Sequence, residues 1–331
     1  SCVIESIAFA ARATLEPKWS APSTTAPAAD APEVVAGPLA LRQDPGRFGR
    51  FEVRFDGRSL ATGHDRPTIA YAVEVEGRPV VRWFDVAEAG GRVSAEPAAD
   101  GSLRVRAEVR DEDGGDWRLE QRFRPHSPGV IAFEAECAVD APRSVLFAPM
   151  LLVLPGHGQA PFGASKGQAL LAGVEYLENE PSSSEADVSQ ADALRKTPSA
   201  PKLTFPLMAV QARGTYVGVI WDRSPAVAPL FDSPDRTLGG RGHLLGLIAP
   251  GADGSDRPEG SIFPDRPTTL AAGSPLKASG LLIAGEGSTV VPAVQKYVAL
   301  KGLPPIPATP GLQDYVRLAA AGWLDSPIRD G

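Results

Sequence analysis

Between Phe51 and Val139, apolar residues recur at every second position, and the runs are broken at short intervals by residues that turn the chain back. Phe51, Val53 and Phe55 alternate with Glu52 and Arg54 and run into Asp56-Gly57. Leu103, Val105, Ala107 and Val109 follow Asp100-Gly101 and end near Asp113-Gly114-Gly115. Trp117, Leu119, Gln121 and Phe123 form a further face, and Ile131, Phe133, Ala135, Cys137 and Val139 another. A period of two belongs to strands with one buried face and one wet face, and Asp-Gly pairs suit tight hairpins. Such a chain folds into antiparallel sheets, and 331 residues are enough for two ordinary domains or one oversized sandwich.

Beyond Val139 the pattern changes. Val145 to Leu154 is almost wholly apolar, as expected of a strand buried on both faces, and Gly156-His157-Gly158 breaks it. Ile69–Glu76 and Val80–Val86 pair around Gly77; Leu203–Ala212 and Tyr216–Trp221 pair around Arg213-Gly214. Shorter strands are expected at 243–249, 268–270 and 279–285, and residues 178–200 form a long polar connection. The 34 glycines and 33 prolines have no collagen-like period and mark turns.

Both ends differ from this middle. Ser20 to Pro38 is rich in Ala, Pro, Ser and Thr and reads as a tether. Val291, Val294, Val298 and Leu300 have helical spacing, a Gly-Leu-Pro-Pro linker follows at 302–305, and Leu312, Tyr315, Val316, Ala319 and Trp323 make a second helical stripe. The organisation expected is an N-terminal segment and tether over 1–39, a β domain over 40–290, and a helical segment over 291–331. The unpartnered stripe is read as the beginning of an adjacent helical domain in a longer chain, with a terminal helix docked on the sandwich as the alternative.

The net charge of −7, with no Lys/Arg stripe, argues against a nucleic-acid partner. The longest apolar run, 145–155, contains Pro149 and is too short to cross a membrane. Cys137 is in phase with Phe133 and Ala135 and reads as a buried thiol; a disulfide to Cys2 is the other reading. A start at Ser1 fits a processed, trimmed or incomplete chain, and an extracytoplasmic or secreted setting is expected.

Candidate chemistry concentrates at few positions. Glu175 and Glu178 flank Tyr176-Leu177, two carboxylates beside a ring of the kind used in sugar acid–base chemistry. Their spacing shares a face on a helix and divides across a strand. His157 stands between two glycines at a strand end, where a side chain is presented over a cleft; His64, His126 and His243 read more simply as loop or hydrogen-bonding residues. Glu175, Glu178, Glu180, Glu185 and Asp187 offer the oxygens calcium takes but lack EF-hand spacing, so they read first as a wet surface and no metal or other cofactor is assigned. Trp83, Trp117 and Trp221 invite comparison with sugar-binding platforms, and of these Trp117 is in phase with the core. Trp221, followed by Asp222 and Arg223, reads as a sugar-stacking platform, with Arg223 beside it.

The strands to Val139, the buried strand 145–154 and the join Val290-Val291-Pro292-Ala293-Val294-Gln295-Lys296-Tyr297 resemble the β-supersandwich region of multidomain glycoside hydrolases and polysaccharide lyases with an (α/α) toroid domain. The resemblance covers about 40–300. It implies a mostly β fold, a large antiparallel β sandwich of supersandwich and galactose-mutarotase type with a short C-terminal helical segment. It also implies a carbohydrate or polysaccharide partner and much of the catalytic machinery on a helical domain. Some relatives are aldose mutarotases with a histidine acid and a glutamate base, roles that would fall to His126 or His157 and to a glutamate such as Glu175. The functional expectation is an accessory carbohydrate-binding or cleft-shaping module, with Tyr176, Glu178, Trp221 and Arg223 as ligand contacts. The alternatives are a self-contained mutarotase or epimerase-like enzyme and a non-catalytic interaction domain.

Overall fold

The computed structural model describes residues 23, 25–156, 166–178, 197–235, 237–238, 242–251, 262–264, 267–303 and 311–324. A first meander, β1 (Glu33–Ala36), β2 (Leu39–Gln43), β3 (Phe51–Phe55) and β4 (Arg58–Gly63), is followed by the hairpin β5 (Thr68–Val75) and β6 (Arg78–Asp85). A second meander comprises β7 (Arg92–Pro97), β8 (Leu103–Arg110), β9 (Asp116–Ser127) and β10 (Val130–Val139). Then come β11 (Arg143–Pro155), β12 (Gln168–Leu171), β13 (Glu175–Glu178), β14 (Leu207–Ala212), β15 (Thr215–Trp221), β16 (Ala228–Asp232), β17 (Leu244–Ala249), β18 (Thr268–Leu270) and β19 (Leu276–Glu286). Two helices close the described chain, α1 (Val291–Lys301) and α2 (Leu312–Leu324).

Among the described residues the strands build two antiparallel sheets. The ten-stranded sheet runs β1-β2-β3-β4-β11-β17-β16, with β5, β6 and β18 attached through β11; the nine-stranded sheet runs β13-β12-β14-β15-β19-β10-β9-β8-β7. The fold is therefore mostly β, a large antiparallel sandwich with a short helical C-terminal part. Asp56-Gly57 and Arg213-Gly214 make the expected hairpins, with φ of 46° and 74° in the first and 49° and 80° in the second. Both residues of each pair adopt the left-handed backbone that a tight primed turn requires.

Alternation places one face of each strand in the core. Leu103, Val105, Ala107 and Val109 from β8, with Trp117, Leu119 and Phe123 from β9, meet Leu39, Leu41, Val53, Val153 and Leu245 from the other sheet. Cys137 is a free thiol in this core, its pKa pushed up to about 12 by burial. Strand β11 is the spine of the ten-stranded sheet, pairing with β4, β5, β17 and β18. Its register slips between Pro149 and Leu151, making Met150 the extra residue of a bulge. Gln121 Nε2, from the opposite sheet, donates to the Met150 carbonyl at 2.8 Å, so the bulge leaves that acceptor satisfied.

The sheets are also tied at the β8–β9 turn. Arg143 holds Asp111 with two charge-assisted bonds, Nε–Oδ2 at 2.8 Å and Nη2–Oδ1 at 2.9 Å, and Trp117 Nε1 donates to Asp111 Oδ2 at 2.8 Å. Tyr71 donates its hydroxyl to Asp113 at 2.8 Å, and the Arg143 guanidinium lies over the Tyr71 ring at 5.5 Å. Burial opposes ionisation of Asp111, but the bonds from Arg143, Trp117 and Gly115 outweigh it and hold the carboxyl below its ordinary value.

Two expected boundaries move. Strand β1 falls inside the stretch read as tether, because Val34 and Ala36 alternate inward beside β2 and become core. The chain divides into units at 296/297, inside α1, instead of at 290. In the second unit, α2 carries the expected stripe with Leu312, Tyr315, Val316 and Trp323 all exposed, Trp323 by 85%.

Candidate functional site

Strand β13 settles how Glu175 and Glu178 are disposed. It is the edge of the nine-stranded sheet, and its alternation buries Glu175 and Leu177 while exposing Tyr176 and Glu178. Glu175 is 8% exposed and Tyr176 is 52% exposed. The two carboxylates leave opposite sides of the strand and do not face a common substrate atom. Glu178 accepts from Gln168 Nε2 at 3.2 Å and from the Tyr176 hydroxyl at 3.5 Å. Gln168 in turn accepts from the Val290 backbone N–H at 2.8 Å, linking this edge to the start of α1.

The platform expected at Trp221 is corrected. Trp221 continues the inward phase of Val217 and Val219, is 2% exposed and packs in the core, so its ring has no face for a ligand. Arg223 donates through Nη2 to the Leu203 carbonyl at 2.7 Å and fastens the strand end to a neighbouring connection. His157, Glu180, Glu185 and Asp187 lie outside the described residues. Among the described residues no group of three or more His, Cys, Asp or Glu side chains is placed to hold a metal ion. No described helix is long and apolar enough to cross a membrane.

Trp83, unlike Trp221, is partly exposed. In β6, Arg82 and Phe84 turn toward the sandwich interior, where Phe84 meets Tyr71 at 6.1 Å and Trp117 at 5.5 Å. Val81 and Trp83 consequently take the outer side of the ten-stranded sheet. There a second apolar cluster forms from Ala70, Phe147, Leu152, Leu154, Leu230 and Leu244, with Leu238 and Ile262 from connections laid over it. Trp83 is half-buried at the margin of this cluster. Phe263 stands edge-on to it, with centroids 5.5 Å apart and planes at 85°, and Phe147 backs Phe263 at 6.2 Å.

Polar groups gather at the ends of β16 and β17, the strands that carry the rest of this face. Ser233 Oγ lies 2.9 Å from His243 Nδ1, and Asp232 Oδ2 accepts from the Thr237 N–H at 2.9 Å and its hydroxyl at 2.8 Å. Lys166 Nζ donates to the Ser233 carbonyl at 3.3 Å. Ser233 and His243 are fully buried, so the pair shapes the connection and presents no nucleophile to solvent. The alternation of Val81 and Trp83 was the sequence signal for the outer ring. It was ambiguous because both faces of this sheet are apolar.

No family model matches the chain, and no curated protein matches it. Among solved structures it is similar to the α-N-acetylgalactosaminidase NagBb from Bifidobacterium bifidum in its GalNAc complex, at 17% identity over 82% of this chain and 39% of that chain, with a TM-score of 0.48. It is also similar to a GalM/aldose epimerase homologue from C. elegans, at 10% identity over 77% of this chain and 98% of that chain, TM-score 0.44. A galactose 1-epimerase from Lactobacillus acidophilus NCFM has 10% identity over 76% of this chain and 92% of that chain, TM-score 0.41. The chain spans 39% of the galactosaminidase.

Proposed function

We propose that this sandwich is a carbohydrate-binding, cleft-shaping module of a polysaccharide-processing enzyme. The observation that carries the reading is the half-buried Trp83 on the outer face of the ten-stranded sheet, fixed by Phe263 and Phe147. An immobilised indole offers a flat apolar surface to the C–H side of a pyranose at little entropic cost, while polar groups on adjoining connections take the hydroxyls. The exposed stripe of α2 supports a helical partner, against which such a module would complete a cleft.

The test is calorimetric titration of wild type and Trp83→Ala with a panel of neutral and acidic oligosaccharides. Wild type binds at least one member, and Trp83→Ala weakens that binding about tenfold, equivalent to the loss of about 1.4 kcal/mol of stacking and burial. Unchanged affinity in Trp83→Ala, or no binding by wild type to any member, would sink the reading. A thermal melt of Trp83→Ala separates loss of contact from loss of fold.

A further inference from the structure

The outer face of β7 to β10 is a lattice of cross-strand charges with one irregular position. Arg92 pairs with Glu108 at 2.9 Å, Arg104 and Arg106 share Glu120 at 3.2 and 2.8 Å, and Arg124 pairs with Glu134 at 3.0 Å. Arg110 and Asp116 approach to 3.7 Å, and Arg122 and Asp100 to 3.6 Å. On this face, among the described residues, Arg118 is the one arginine whose side chain has neither an ion pair nor a hydrogen bond. Its register explains why. Arg118 and Arg92 are both opposite Glu108, on either side of it, and Arg92 takes the carboxylate.

Arg118 opens on a cleft of about 600 Å³ lined also by Arg92, Arg110, Glu108, Asp116 and Gly90. Three guanidiniums face two carboxylates there, in a chain whose net charge is −7. The excess positive charge is local and comes from the side chain with no partner. A guanidinium presents a planar fork of donors that fits a carboxylate or sulfate group bidentately, and two flanking arginines raise the local potential for it.

We infer that this cleft binds the anionic group, carboxylate or sulfate, of an acidic glycan, with Arg118 as its principal contact. The glycan class rests on the function proposed above; the anion preference rests on the cleft. The cleft is on the outer face of the nine-stranded sheet and Trp83 is on the outer face of the ten-stranded sheet, so the two sites are separate and each has its own variant.

The experiment titrates wild type, Arg118→Ala, Arg118→Lys and Trp83→Ala with oligogalacturonate, a sulfated oligosaccharide of similar length, a neutral oligosaccharide and inorganic sulfate. Arg118→Ala weakens the charged oligosaccharides about tenfold, with loss of one charge-assisted bidentate contact, and leaves the neutral one unchanged. Arg118→Lys restores part of the affinity, and added salt weakens the wild type toward the alanine variant. Loss confined to the uronate or to the sulfated ligand identifies which group the cleft reads. Equal affinity of Arg118→Ala and wild type for the charged ligands overturns the inference. So does binding of neutral oligosaccharide alone with sensitivity to Trp83→Ala, which leaves the platform standing. Arg118-dependent binding of inorganic sulfate with no oligosaccharide binding overturns the glycan as ligand, and with it the proposed function.

Discussion

The outer faces of the two sheets solve the same problem in opposite ways. On β8, β9 and β10 most outward positions are charged, with the small Ala132 and Ala138 as exceptions on β10, and the charges neutralise one another across strands, as with Arg106–Glu120 at 2.8 Å and Arg124–Glu134 at 3.0 Å. Solvent completes that face. On β11, β16 and β17 the outward positions are apolar apart from Ser144 and Asp232 at strand ends, and connections carrying Leu238, Ile262 and Phe263 complete it. A sheet covered by strands or helices gains stability alone, whereas one covered by connections also gains adaptable surface at its margin. The margin on this molecule is where Trp83 is held, the position proposed above for ligand contact.

If the covered face is a true second core, its residues cost as much to remove as those between the sheets. Phe147→Ala is expected to destabilise by about 4 kcal/mol, from lost transfer energy and the cavity left behind, measured by urea unfolding. A loss below about 1 kcal/mol would show that the connections lie over the face without packing on it.

The link between the sheets gives the next effect. Arg143→Met leaves Asp111 as a buried carboxylate without its countercharge and is expected to cost about 3 kcal/mol. The folded pKa of Asp111 is held below its ordinary value, so its contribution is present above the unfolded carboxylate range, about pH 4, and is lost as pH falls through the folded pKa. Stability of the wild type therefore declines in acid more steeply than that of an Asp111→Asn variant. Parallel acid profiles for the two proteins would remove Asp111 from the account.

The same contrast explains what could be read from residues alone. Where one face is wet, alternation identifies the strand, its phase and its core residues, as at Leu103 to Val109 and Trp117 to Phe123. Where both faces are buried, the period disappears. Val145–Leu154 is recognisable as doubly buried, but nothing in it tells which residues face the partner sheet. Trp221 and Trp83 show the consequence. Asp222 and Arg223 after Trp221 suggest a surface, yet the phase of Val217 and Val219 buries it, whereas Trp83, compared with the same platforms but lacking such a charged pair after it, reaches the margin. Glu175 and Glu178 depend on element type, since a spacing of three joins them on a helix and divides them on β13. Strand β12 has too few residues to display a period, and β16 is buried throughout and so shows none.

The smallest expected effect concerns the wet face. Arg124 and Glu134 are diagonal neighbours across β9 and β10, 3.0 Å apart, with side chains 51% and 46% exposed. A pair in that setting is screened by water and restricts two flexible side chains, so a double-mutant cycle of Arg124→Ala and Glu134→Ala is expected to give a coupling of no more than about 0.5 kcal/mol. The coupling should shrink further at 1 M salt, where the screening length falls to about 3 Å. A coupling above about 2 kcal/mol, insensitive to salt, would mean that this face is shielded in the native protein by something that lies against it. The contrast between a solvent-completed sheet and a connection-completed one would then fail at its wet end, while the Phe147→Ala result would still stand for the other.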